Sequence, residues 1–127
     1  SVANTLTNVT GLFFNVVAGT TYRFYAMIPY TSGSNNNGSR WTINAPASTF
    51  LSYNSRYTIN ATSETVNYLS TINSPASCNN NSEVNGSLAI IQGIIRPSTN
   101  GTVQIRFASE NSNQSITAKA GATLEYW

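Results

Sequence analysis

From Leu88 to Trp127 the sequence reads as three consecutive strands, and this limits the possible folds more than any other feature. Leu88-Ala89-Ile90-Ile91-Gln92-Gly93-Ile94-Ile95-Arg96 is apolar on both faces, and residues 102–108 alternate strictly. Asn100-Gly101 between them predicts a two-residue turn and therefore a hairpin. After a polar loop the chain returns through residues 116–118 and 122–127. The closing Leu124-Glu125-Tyr126-Trp127 carries sheet side chains, so this end is expected in the core or in an interface.

The rest of the chain follows the same two-residue period. Residues 12–17 predict a first strand, and residues 20–30 give the clearest alternation. There Tyr22, Phe24, Ala26, Ile28 and Tyr30 share one face, and Thr21, Arg23, Tyr25 and Met27 share the other. That second face is too large to be merely solvated. Pro29 predicts a strand end or a sheet edge. Further strands are expected over residues 40–44, with Trp41 and Ile43 on one face, and over 50–59 and 65–71. Residues 31–38 and 73–86 are loops by composition. No ten-residue stretch shows apolar spacing of three and four, so helices are not expected. The predicted fold is all-β: one antiparallel β-sandwich of jelly-roll type with about eight strands, a single domain over residues 1–127. Ser1 in place of an initiator Met fits the C-terminal part of a longer chain.

Composition narrows the chemistry. Asn, Ser and Thr supply about 40% of the 127 residues, whereas charged residues are 8%; ordinary soluble domains carry roughly 25%. The surface is therefore hydroxyl and amide rather than ionic. A net charge of +2, spread over singly scattered Arg and Lys, does not fit a nucleic-acid groove. No run approaches the roughly 18 apolar residues of a membrane helix, so no membrane insertion is expected. His and Asp are absent. A nucleophilic Ser, Thr or Cys would lack its usual base, and with one cysteine, Cys78, a zinc or iron site is not expected. No cofactor or metal is expected, and the protein is read as no enzyme. A glycosidase would have to pair Glu64 with Glu83 or Glu110. Sequons at Asn8, Asn37, Asn60, Asn80, Asn85, Asn100 and Asn113 follow from the abundance of Asn, Ser and Thr.

Several segments together resemble C-terminal domains of bacteriophage virion proteins, those of tail fibres and of head or tail surface proteins. They are Gly19-Thr20-Thr21-Tyr22-Arg23-Phe24, Gly38-Ser39-Arg40-Trp41, Ile94-Ile95-Arg96-Pro97, Asn100-Gly101-Thr102-Val103, Arg106-Phe107-Ala108-Ser109-Glu110 and residues 118–127. The resemblance implies a trimeric jelly-roll module, similar in shape to complement and tumour-necrosis-factor domains, on the surface of a virion. The expected function is non-enzymatic host attachment or particle decoration. Other virion proteins and a host-surface glycan or protein are its expected partners. The alternatives are a secreted carbohydrate-binding module, marked by an exposed aromatic row such as Trp41, Tyr53 and Tyr57, and a glycoside hydrolase. If the domain binds a ligand through its loops, Asn35, Asn36, Asn37, Asn79, Asn80 and Asn81 are the candidates. Tyr25, Met27, Tyr126 and Trp127 are the candidate subunit contacts. With Tyr57 and Tyr68 they exceed what one small core accommodates.

Overall fold

The computed structural model describes residues 3–127, which form nine strands and no helix. They are β1 (Thr7–Val16), β2 (Tyr22–Ser32), β3 (Ser39–Asn44), β4 (Ser48–Asn60), β5 (Ser63–Leu69), β6 (Ser87–Pro97), β7 (Gly101–Ser109), β8 (Ile116–Ala118) and β9 (Thr123–Tyr126). All pairings are antiparallel. One sheet runs β1-β7-β3, and the larger runs β5-β4-β6-β2, with both β8 and β9 on the outer edge of β2. The expected antiparallel sandwich is what forms, with nine strands rather than about eight.

Alternation explains which side chains face inward. On β2, Phe24, Ala26, Ile28 and Tyr30 are buried, and on β6 Ala89, Ile91 and Ile95 meet them. The smaller sheet supplies Trp41, Ile43, Val103 and Ile105, with Val9, Leu12, Phe14 and Val16 from β1. Trp41 lies across the centre of the core, stacked on Phe107 at 4.9 Å between ring centroids and tilted against Tyr30 at 4.7 Å. Each such aromatic pair adds about 0.5–1.5 kcal/mol beyond the area it buries.

Two local expectations are corrected. The hairpin across Asn100-Gly101 does not form, because β6 and β7 belong to different sheets. A two-residue turn of the expected type needs positive φ at both central residues, and neither Asn100 nor Gly101 has it. Instead the chain crosses between layers there. Asn100 Oδ1 accepts a hydrogen bond from the Ala18 backbone N–H at 2.9 Å, and a Cβ on Gly101 would come within 2.9 Å of Pro46. Pro29, for its part, lies inside β2 rather than at its end. β9 pairs with residues 24–27 of β2 and β8 with residues 30–32, so the absent N–H falls where the edge partner changes. Its carbonyl accepts from the Lys119 backbone N–H at 2.8 Å.

In β1, the five steps from Asn8 to Phe13 oppose only two steps of β7, and Gly11 at φ +81° absorbs the excess. The amide of Gln104 donates to the Val9 and Leu12 carbonyls that the bulge turns out of the ladder, at 3.0 and 3.1 Å. On the outer side of the small sheet, buried Arg40 donates to the carbonyls of Asn4, Asn73 and Pro75. Those bonds hold the loop after β5 against the sheet.

Candidate functional site

The outward phase of the large sheet's alternation builds the site. β2 turns Arg23, Tyr25 and Met27 outward, β6 Ile90, Gln92 and Ile94, and β4 Phe50, Ser52 and Asn54. Cross-strand register arranges them in two rows. One runs Glu125, Tyr25, Gln92, Asn54, Tyr68 across β9, β2, β6, β4 and β5. The other runs Trp127, Arg23, Ile94, Ser52, with Arg23 and Trp127 joined by reciprocal backbone hydrogen bonds of 2.9 and 3.0 Å. Neighbouring strands are about 4.8 Å apart, so the longer row spans about 19 Å.

Between the rows lies an open cleft of about 450 Å³, walled by Trp127, Tyr25, Phe50, Tyr68 and Ile94. Its aromatic walls are largely in water: Tyr68 is 85% exposed, Trp127 61% and Phe50 53%. Besides the tyrosine hydroxyls, the polar side chains in the lining are Arg23, Ser52, Asn54 and Gln92. Asn54 Oδ1 is buried without a partner. The Arg23 guanidinium has no carboxylate within 4 Å, and none lines the cleft; the one ion pair among the described residues is Arg56 with Glu64 at 3.7 Å, one row away. This arrangement offers flat apolar surfaces for stacking and polar groups for hydrogen bonding between them.

The sequence candidates divide. Tyr25, Met27 and Trp127 do share this outer face. Tyr126 points the other way, stacked on Phe14 at 4.3 Å and still half exposed. Trp41, Tyr53 and Tyr57 do not form an exposed row: all three are buried, because they occupy the inward phase of β3 and β4. Tyr57 is therefore also corrected as a surplus side chain. Burial pushes its hydroxyl up to about 12, and burial likewise raises Tyr30 and Tyr53.

The loops that carry the two Asn triplets meet. The Ser82 N–H donates to the Asn35 carbonyl at 3.1 Å, and the Val84 N–H to Asn35 Oδ1 at 3.0 Å. Asn36, Asn80 and Asn81 are exposed. Of the six candidate ligand contacts, Asn37 and Asn79 have side chains engaged within the fold. Asn37 is fully buried, donating to Ser109 Oγ at 2.9 Å and accepting from the Asn111 N–H at 3.0 Å. Asn79 accepts from the Ser39 N–H at 2.9 Å and donates to Thr65 Oγ1 at 3.0 Å.

Two of the four glutamates are engaged elsewhere. A Glu110 carboxylate oxygen accepts from the Gly38 N–H at 2.9 Å, and Glu64 faces Arg56. Cys78 is half-buried beside Asn4 Oδ1, and burial pushes its thiol up to about 11. Among the described residues no group of three or more His, Cys, Asp or Glu side chains is placed to hold a metal.

No protein-family model, curated protein or solved structure matches the chain. The functional reading therefore rests on the cleft. Sequence reasoning found its β2 wall, from the oversized second face of residues 20–30. It had Tyr68 only as a surplus side chain and missed Phe50, Asn54 and Gln92, although Phe50, Ser52 and Asn54 fall in the phase opposite to Tyr53 and Tyr57 and so share the outer face.

Proposed function

We propose that this domain is a non-enzymatic surface module of a bacteriophage virion, which attaches the particle to a host surface or decorates it through the outer face of its large sheet. One observation carries the proposal: a hydrogen-bonded sheet presents a cleft walled by the exposed aromatic side chains of Trp127, Tyr68 and Phe50. Exposed aromatic clusters on a rigid frame are typical of recognition surfaces. The virion assignment, with its jelly-roll topology and homotrimer, draws on the resemblance of residues 19–24, 38–41, 94–97, 100–103, 106–110 and 118–127 to phage surface domains.

In the homotrimer, Tyr126 is the contact residue, because its ring lies on the opposite side from the cleft and leaves the cleft open. Particles carrying Trp127→Ala with Tyr68→Ala test the proposal. Loss of host binding with unchanged particle stability identifies attachment, and loss of particle stability identifies decoration. Wild-type behaviour in both assays, or steady hydrolysis of a host glycan by the purified protein, overturns it. The same cleft favours a second reading, a secreted carbohydrate-binding module. Mass spectrometry of purified particles separates the two, since only a virion component co-purifies with them.

A further inference from the structure

The chemistry of the cleft also specifies the class of molecule it takes. We infer that the outer-face cleft binds an acidic polysaccharide, with a pyranose ring stacked on Trp127 and a sugar carboxylate on Arg23. This rests on the reading of that face as the contact surface and goes further by naming the ligand.

Three features support it. A pyranose has an apolar face of C–H groups and an equatorial rim of hydroxyls, so it needs a flat π-surface beside hydrogen-bonding groups. Trp127 and Tyr68 provide exposed rings, while Ser52, Asn54 and Gln92 lie between them. Next, these polar groups are uncommitted. Among the described residues neither Gln92 nor Ser52 makes a side-chain hydrogen bond, so both are free to meet ligand hydroxyls. Last, Arg23 is the only charged side chain in the lining, and among the described residues its guanidinium makes no ion pair; Glu125, across from Tyr25 on the same face, stands outside the lining. A planar guanidinium matches a carboxylate in shape and charge. The cleft volume suits a few sugar rings better than a broad protein surface.

Intrinsic fluorescence provides the assay, because Trp41 is fully buried and Trp127 is exposed, so a ligand in the cleft quenches Trp127. An array of uronate-bearing and neutral oligosaccharides is screened first, and hexagalacturonate and maltohexaose are then titrated. Saturable binding of uronate-bearing members is expected, with neutral counterparts at least tenfold weaker and affinity falling as salt is added. Arg23→Gln and Trp127→Ala should each weaken binding at least tenfold while keeping the wild-type unfolding midpoint. A silent array, equal affinity for neutral glycans, or unchanged binding by both variants overturns the inference. If the array is silent yet particles carrying the Trp127 substitution lose attachment, the ligand is a protein and the proposed function stands. If sedimentation equilibrium gives an oligomer in which Trp127 is shielded from acrylamide, a second copy occupies the cleft and the inference falls.

Discussion

Replacing Asn37 by Ala removes a side chain from the inside of a loop, although it stands in the most loop-like run of the sequence, Ser34-Asn35-Asn36-Asn37-Gly38. The magnitude follows from what each partner does afterwards. Ser109 Oγ keeps the Asn111 and Gln114 carbonyls as acceptors, at 3.2 and 3.3 Å, so it is not orphaned. The Asn111 N–H loses its acceptor at 3.0 Å. One unsatisfied buried donor costs about 1–3 kcal/mol, and the lost bond to Ser109 adds about 0.5–1.5 kcal/mol. The sum is about 2–4 kcal/mol, a large part of the roughly 5–15 kcal/mol that holds a domain folded. For this length it corresponds to a midpoint lowered on the order of 10 °C. Asn36→Ala is the control: its side chain is exposed and makes no hydrogen bond, so it should stay within about 0.5 kcal/mol of wild type. Urea unfolding of the three proteins, followed by tryptophan fluorescence, measures both differences. An Asn37→Ala variant as stable as Asn36→Ala would refute the buried hydrogen-bond network.

Arg40→Lys should cost about 2–4 kcal/mol, because an ammonium cannot reach the three carbonyls that the guanidinium spans; hydrogen exchange should quicken in residues 70–79, and unchanged exchange there would count against the anchor. Tyr57 has its hydroxyl raised from 10.0 to about 12, so its contribution is intact below pH about 10 and is lost as pH rises through the folded value. Urea midpoints measured from pH 9 to 12 should fall, less steeply in Tyr57→Phe. Cys78, raised from 9.0 to about 11, should react with a disulfide reagent at pH 8 about a hundredfold more slowly than it does in urea; equal rates would refute its burial. Trp127→Ala should change stability by less than about 1 kcal/mol, read as the urea midpoint, since most of its ring is already in water.

Strands were legible in the sequence because period-two alternation is a local property, and β2 and β7 show it without interruption. Which strands pair was not. Asn100-Gly101 has the composition of a hairpin turn, but Pro46 packs against Gly101 and Ala18 engages Asn100, and both are distant in sequence. Exposure of the aromatics was half legible. Tyr25 and Met27 stood out as too large for a solvated face, whereas Tyr53 and Tyr57 were assigned to the surface because phase alone does not say which side of β4 meets the core. The two structural asparagines gave no local signal at all. Asn36 and Asn37 are identical neighbours, and only the approach of Ser109 and Asn111 from 72 and 74 residues away distinguishes them.

The order of the small sheet, β1-β7-β3, has a consequence for how the chain is made. β1 and β3 do not pair with each other; each waits for β7, which lies between them in space and after both in sequence. With synthesis at about 5–20 residues per second, roughly 90 residues separate the emergence of β1 from that of its partner, a delay of about 5–20 s. During that time Phe14, Val16, Trp41 and Ile43 have no completed layer to enter. The nascent chain is therefore at its most adhesive before its seventh strand has been translated, and the bulge at Gly11 breaks the regular edge that another copy of β1 would otherwise extend.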